Sequence, residues 1–332
     1  MINFRYILAF CLLSFSTVLY CQTSPFLVLD WRNADKHILE SGQLSFSSPQ
    51  SSKPYFDLEK FKSNEISTTS YLDQIKKAFT ELPNGKQNVI LFINGYSCQR
   101  KSSIIANGEM LNANFIEHLG SDIGLFTSFN WNAGLSYRKA LPLTVEIGYY
   151  YADILIQVYN ELKAINPDVN LYLITHSMGN RVFTGLYKRF VEQKQTNIFA
   201  HHIMSAADIE PTIFSNGEEL EHIDEISSSI TIYTHALDRV LSVTTDIGKQ
   251  DRLGLISLTE EQLDEISPHI SVVDCSETND LKALNLGRHN YCKKSNIVTE
   301  DIYYTLTGQT KKALKKRVHT KHPRKFYLKS EK

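Results

Sequence analysis

The sequence predicts an α/β fold, with a mainly parallel sheet that helices cover on both faces. Short apolar runs typical of strands alternate along the chain with longer segments whose apolar residues recur at helical spacing. With 332 residues the chain can form one large domain, and neither an internal repeat nor a second core is evident. We therefore predict one domain over residues 23–310, between a signal peptide (1–22) and a disordered basic tail (311–332).

The predicted elements alternate in a regular order. The predicted helices are Tyr71–Leu82, Ile104–Leu119, Val145–Ile165, Arg181–Gln193 and Asn296–Leu306, and the predicted strands are Gln87–Ile93, a run from Leu171, Phe199–Met204, Ile230–His235 and Ile270–Asp274. The segment Ser136–Tyr151 is rich in tyrosine and leucine. It either packs on the core as an ordinary helix, which we favour, or covers the site described next.

The most informative segment is Leu171–Arg181, which passes from an apolar strand through a turn of small residues into an amphipathic helix. Such a turn holds a serine hydroxyl clear of the backbone and close to backbone N–H donors, and it is known as a nucleophile elbow. Thr175 replaces the first glycine of the usual Gly-x-Ser-x-Gly pattern, whereas Gly179 keeps the second. We predict that Ser177 is a nucleophile.

A second glycine turn lies upstream, where the strand Gln87–Ile93 ends in Asn94, Gly95 and Tyr96. Folds with a nucleophile elbow place an oxyanion donor after such a strand. We predict that the backbone N–H groups of Tyr96 and Met178 stabilise a tetrahedral oxyanion. Asn94 stands where a histidine is often found.

An acid should follow the serine on a loop that leaves a neighbouring strand. Asp238 comes just after the predicted strand Ile230–His235, and Asp208 comes after Phe199–Met204. We rank Asp238 first as the orienting acid and keep Asp208 as the alternative.

The predicted general base is His289, which lies on a polar loop between the strand Ile270–Asp274 and a closing helix. His176 adjoins the nucleophile, but neighbouring side chains at such a turn diverge, so we expect it to serve packing. His201 and His202 occupy opposite faces of a strand and are not expected to share a metal ion. No metal or phosphate motif is present, and we expect no cofactor.

The N-terminus carries Arg5 and then an apolar stretch, Tyr6–Tyr20, of the length of a signal-peptide core. The sequence therefore predicts export, to the periplasm or beyond. Lipidation of Cys21 is a less favoured alternative, because Tyr20 is larger than the residue that normally precedes a lipidated cysteine. Three cysteines remain after cleavage, and we predict a disulfide between Cys275 and Cys292 that would fix the His289 loop.

The last 22 residues hold ten Lys and Arg against one Glu, which leaves about −10 on the rest of the chain since the whole sums to −1. This asymmetry predicts a solvated tail, either without a partner or in contact with an anionic membrane surface. Nucleic acid is not an expected partner, because the remainder is acidic.

These motifs resemble a family of bacterial α/β-hydrolase-fold proteins of unknown function, over about residues 88–308. The residues that carry the resemblance are Phe92-Ile-Asn-Gly-Tyr96, Phe129-Asn-Trp131, Thr175-His-Ser-Met-Gly-Asn-Arg181, Ala206-Ala-Asp208, Leu237-Asp-Arg239 and Gly287-Arg-His289. The resemblance implies an α/β-hydrolase fold with the triad Ser177, Asp238 and His289. Two positions depart from the family's pattern, namely Asn94 and Arg288, which is inserted before His289.

The leading functional hypothesis is an exported serine hydrolase that cleaves a small-molecule or lipid carboxylic ester through an acyl-enzyme. A peptidase or thioesterase would use the same residues. The contrasting hypothesis is a non-catalytic binding protein on a hydrolase scaffold.

Overall fold

A computed structural model of the protein describes residues 26–31, 43–47, 68–82, 85, 87–96, 110–111, 114–115, 122–131, 136–281 and 286–330. The predicted signal peptide (1–22), Cys21, Cys98 and most of the helix predicted at Ile104–Leu119 lie outside the described residues. Among the helices of the described part, none combines the length and the apolar character that crossing a membrane requires.

The described strands form one ten-stranded sheet in the order β2-β1-β4-β3-β5-β6-β7-β8-β10-β9. They are β1 (Phe26–Trp31), β2 (Gln43–Ser47), β3 (Asn88–Ile93), β4 (Ile123–Trp131), β5 (Leu171–His176), β6 (His201–Ser205), β7 (Ile230–Thr234), β8 (Ile270–Asp274), β9 (Arg317–His319) and β10 (Lys325–Leu328). Neighbouring strands run parallel except at the two outer pairs, β1–β2 and β10–β9. The carboxyl ends of the central strands therefore share one edge.

Helices cover both faces of this sheet, which confirms the predicted α/β class. The described helices are α1 (Thr68–Thr80), α2 (Tyr137–Ile165), α3 (Gly179–Glu192), α4 (Arg239–Gly248), α5 (Glu260–Glu265), α6 (Tyr291–Lys294), α7 (Asn296–Leu306) and α8 (Thr310–Ala313). Strand β3 shows why both faces need cover, because successive side chains point to opposite sides. Leu91 and Ile93 join an apolar cluster with α1, α2 and α3, whereas Ile90 and Phe92 join a second cluster with α7 and β10.

The segment Ser136–Tyr151 forms the first half of α2, which begins eight residues before the predicted start at Val145. Its residues Ala140, Ile147 and Tyr151 are buried, and the Tyr151 ring stacks on Phe129 at 3.7 Å between centroids. Gly148 lets α2 approach α3 closely, since a Cβ there would collide with the Val182 carbonyl. The core-facing interpretation of this segment is therefore correct.

The C-terminal segment is folded, which corrects the predicted disordered tail. Strand β10 pairs with β8, and its residues Phe326 and Leu328 are buried in the second apolar cluster. Arg317 forms an ion pair with Asp301 at 2.7 Å, with both side chains largely buried. The many basic residues concealed an alternating strand pattern, and part of their charge is neutralised within the fold.

Candidate active site

Ser177 occupies a strained turn between β5 and α3. Its φ of +56° lies in the left-handed region, which costs a non-glycine residue about 1–3 kcal/mol. Backbone hydrogen bonds hold the turn: Ser177 N donates to Ser205 O at 3.0 Å, and Ser177 O accepts from Asp208 N at 3.2 Å. The strained backbone is thus fixed by the neighbouring strand end, as a nucleophile elbow requires.

Thr175 and Asn180 stabilise the elbow through their side chains. Thr175 Oγ1 donates to Asn180 Oδ1 at 2.6 Å, and Asn180 Nδ2 in turn donates to Ser177 O at 2.9 Å. All three residues are buried. The threonine that replaces the usual glycine therefore has a structural role here, and it requires the asparagine that follows the motif.

The loop after β3 packs directly against the serine. A Cβ built on Gly95 would lie 2.6 Å from Ser177 Cβ, and one on Gly179 would lie 2.8 Å from the Asn94 carbonyl oxygen. Asn94 fixes this loop, because its Nδ2 donates to Ser128 Oγ at 2.9 Å and its carbonyl accepts from Trp131 Nε1 at 2.7 Å. Both glycines are needed for the close approach of the Tyr96 loop to the elbow.

Asp238 and His289 lie side by side at the carboxyl edge. His289 Nδ1 donates to Asp238 Oδ2 at 2.7 Å, and both residues are buried. The other carboxylate oxygen, Oδ1, caps α4 by accepting from the backbone of Val240 and Leu241 at 3.0 Å each. Asp238 therefore has one oxygen fixed by the helix and the other directed at the imidazole. Because the carboxylate accepts, Nε2 is the nitrogen left without a proton in the neutral ring.

The histidine loop is held by tyrosine and histidine contacts. Tyr291 Oη donates to Tyr233 O and accepts from Ala206 N, each at 2.6 Å. His176 Nε2 donates to the carbonyl of His289 at 3.1 Å, and the two imidazole rings lie 4.8 Å apart. Burial holds the pKa of His176 well below its usual value, so this ring stays neutral. The His289 loop therefore packs on the residue next to Ser177.

The predicted disulfide is absent from this loop, because Cys275 and Cys292 are free and buried thiols. Both belong to the second apolar cluster, where burial raises the pKa of each thiol. The packing of Tyr291 in the same cluster fixes the loop instead.

The alternative acid, Asp208, has other partners. Its carboxylate lies 2.8 Å from Arg252 Nε, accepts from Tyr137 Oη at 2.7 Å and accepts from Thr244 Oγ1 at 3.2 Å. Arg252 also pairs with Glu210. Asp208 is thus enclosed in a buried charge network, whereas the structure brings Asp238 to the histidine.

A family comparison agrees with this geometry. The sequence model of a family described as alpha/beta hydrolase of unknown function (DUF900) matches residues 73–309. The chain belongs to this family. No curated protein matches the sequence.

Similar solved structures share little sequence with this hydrolase. A type II thioesterase of the yersiniabactin pathway, YbtT, is 14% identical, with 69% of this chain and 96% of that chain covered and a TM-score of 0.34. The phospholipase PlaB from Legionella pneumophila, solved with thio-NAD, is 12% identical, with 73% and 67% covered and a TM-score of 0.36.

Two other histidines of the hydrolase's sheet, His201 and His202, have structural partners. His201 Nε2 lies 2.9 Å from Thr231 Oγ1, and His202 Nε2 lies 2.9 Å from Thr175 Oγ1. Within the described residues, no group of His, Cys, Asp and Glu side chains is arranged to hold a metal ion.

Two residues near the hydrolase's site are not predicted from the sequence, namely Arg252 and Tyr137, which lies in a segment with two interpretations. His176 packs against the His289 loop, in agreement with the packing role predicted for it. The Tyr137 ring contacts Tyr96 edge-on at 5.9 Å, so it connects the Asp208 network to the Tyr96 loop. The tyrosine-rich composition of Ser136–Tyr151 was the available signal for it.

Proposed function

We propose that the protein is an exported serine hydrolase that cleaves carboxylic esters through an acyl-enzyme. The observation that carries this proposal is the strained Ser177 turn at the same sheet edge as the buried Asp238–His289 pair. A nucleophile, a base and an orienting acid, in this chain order, are the parts that acyl transfer needs.

In the proposed reaction, Ser177 Oγ attacks the ester carbonyl carbon and His289 Nε2 takes its proton. The tetrahedral intermediate then expels the alcohol, which receives that proton from His289, and an acyl-serine remains. A water molecule attacks the acyl-serine by the same route and releases the carboxylic acid. Asp238 keeps the imidazole in the tautomer with a free Nε2 and stabilises its charged form.

The developing oxyanion would be bound by the backbone N–H groups of Met178 and Tyr96. The contact between Gly95 and Ser177 supports this role, because it holds the Tyr96 loop against the elbow. Donors fixed before the reaction stabilise the transition state without reorganisation. Esters are proposed over amides and thioesters by analogy with the fold, and export rests on the N-terminal sequence.

A fluorophosphonate probe tests this proposal, since it labels an activated serine and no ordinary one. The wild-type protein should be labelled stoichiometrically, and Ser177→Ala should abolish the labelling. Ser228→Ala, which removes an exposed serine just before β7 at the opposite edge of the sheet, is the matched control and should label normally. Mass spectrometry of the labelled peptide identifies the modified residue.

Lack of labelling of folded wild-type protein, with a normal circular dichroism spectrum and cooperative melting, would contradict the proposal and favour a non-catalytic binding protein. Labelling at another serine would show that Ser177 is not the nucleophile.

A further inference from the structure

A cleft of about 580 Å³ opens beside Asp238, on the side of the acid loop and the histidine loop. Its volume is within the range of small-molecule sites. We call it the acid-side cleft. Its lining includes three apolar side chains, Leu237, Leu255 and Ile256, and three polar or charged ones, Arg239, Ser242 and Arg288.

Two arginines give the acid-side cleft a positive charge. Arg239 and Arg288 flank the catalytic candidates, since Arg239 follows Asp238 and Arg288 precedes His289. Elsewhere Arg181, Arg189, Arg252 and Arg317 each pair with a carboxylate. In the described part of the chain, no carboxylate pairs with Arg239 or Arg288. Asp238, the acid that lines the cleft, has both oxygens engaged by His289 and α4.

The backbone of the histidine loop brings Gly287, the residue before Arg288, against the side chain of Arg239. Gly287 and Arg288 have φ values of +59° and +67°, and the second is strained for a residue with a side chain. A Cβ on Gly287 would lie 2.7 Å from Arg239 Cβ, so the glycine admits the Arg239 side chain against this loop. The insertion of Arg288 before His289 thus adds a cation to the wall of the cleft.

Apolar side chains accompany the charge. Leu237 and Ile256 line the acid-side cleft with 54% and 42% of their surface exposed. Large aliphatic side chains beside unpaired guanidinium groups suit a ligand that is both anionic and apolar.

We propose that the acid-side cleft binds an anionic group of the substrate, a carboxylate or a phosphate, so that the hydrolase prefers amphiphilic esters that carry one. This inference rests on the proposed ester hydrolysis. The anion would bind to Arg239 and Arg288, its apolar chain would contact Leu237 and Ile256, and the ester would extend past His289 towards Ser177.

Matched pairs of esters test the preference. One pair is p-nitrophenyl butyrate and mono-p-nitrophenyl glutarate, which adds a carboxylate to the acyl part. The other is monobutyrin and its glycerol phosphate counterpart, which adds a phosphate to the alcohol part. The anionic member of at least one pair should have a kcat/KM about tenfold higher, because each charge-assisted hydrogen bond is worth a factor of about ten or more. The pair in which the anionic ester has the higher kcat/KM shows whether the preferred anion is a carboxylate or a phosphate.

Substitutions of the two arginines and a change of salt concentration test whether the preference for anionic esters arises in the acid-side cleft. Arg239→Gln and Arg288→Gln should each raise KM for the anionic ester about tenfold more than KM for the neutral ester. Lys188→Gln removes the same charge from the exposed face of α3 and should have no effect. The wild-type preference should also fall as NaCl is raised, which needs no variant.

Hydrolysis of all four esters without a preference for an anion would overturn this inference and leave the ester hydrolase intact. Absence of both hydrolysis and fluorophosphonate labelling would overturn the proposed function. In that case, calorimetry measures whether the Ser177→Ala variant binds butyryl glycerol phosphate. Binding that Arg239→Gln abolishes would support the anion site in the acid-side cleft, and absence of binding would overturn it.

Discussion

Asp208 and Asp238 follow neighbouring parallel strands at the same edge of the sheet, and both are fully buried. Their partners differ. Asp208 faces Arg252, which is only 1% exposed, and the hydroxyls of Tyr137 and Thr244. Asp238 faces an imidazole and the first turn of α4. Two carboxylates in equivalent positions of the sequence pattern thus have different chemistry because their partners differ.

A permanently charged guanidinium makes Asp208 a structural partner of Arg252, since Arg252 does not release its proton. An imidazole can both accept and donate a proton, so Asp238 is the carboxylate whose partner can exchange protons with a substrate. Changes at Asp238 should therefore affect activity, and changes at Asp208 should affect stability.

The largest effect is expected for Asp238→Asn. The amide retains an oxygen that can cap α4, but its nitrogen cannot accept from His289 Nδ1, so the wrong tautomer is favoured. We expect kcat/KM for p-nitrophenyl butyrate to fall about 10³–10⁴-fold with little change in the melting temperature. Asp246→Asn, on the exposed side of α4, is the charge-matched control. Retention of near wild-type activity would exclude Asp238 as the orienting acid.

The second effect is expected for Asp208→Ala, which leaves Arg252 buried with Glu210 as its remaining carboxylate partner. Loss of one partner from a buried ion pair costs about 3 kcal/mol or more of unfolding free energy. The backbone bond from residue 208 to Ser177 is kept, so activity per folded molecule should remain within a fewfold of wild type. Urea unfolding and active-site titration measure the two quantities. A stable variant without activity would reverse the roles of the two aspartates.

The sequence was sufficient to predict the sheet edge and its polar residues, because strand ends, glycine turns and chain order are local signals. Asp238 is an example, since a β-branched run followed by a helix start places it at the edge whatever packs around it. The structure confirms the α/β fold, while the catalytic roles of Ser177, Asp238 and His289 stay predictions.

The partners of these residues could not be predicted, because they come from distant parts of the chain. Tyr137 reaches Asp208 across 71 positions, and Arg317 reaches the Tyr233 hydroxyl across 84. The alternating pattern of β10 is too short and too rich in basic neighbours to distinguish a strand from a solvated tail, because the partners that bury it, Asp301 and the apolar cluster, lie elsewhere in the chain. Cys275 and Cys292 are free thiols in the second apolar cluster, and cysteine spacing in the sequence does not report which cysteines pair.

The smallest effect is expected for Tyr137→Phe, which removes the hydrogen bond from the Tyr137 hydroxyl to the Asp208 carboxylate. Removal of one hydroxyl donor from a buried carboxylate should cost about 1 kcal/mol of unfolding free energy.

Burial, followed by the charge of Asp208, raises the pKa of Tyr137 to about 12. Because the folded pKa exceeds the unfolded value, this tyrosine's stabilisation is complete below pH 10 and declines as the pH rises through 12. Tyr137→Phe should therefore lose less stability than wild type in urea unfolding between pH 10 and 12, whereas Tyr327→Phe, at an exposed position of β10, should follow the wild-type profile. Parallel profiles for Tyr137→Phe and wild type would show that the pKa of Tyr137 is not raised in solution, which would contradict its buried position beside the Asp208 carboxylate.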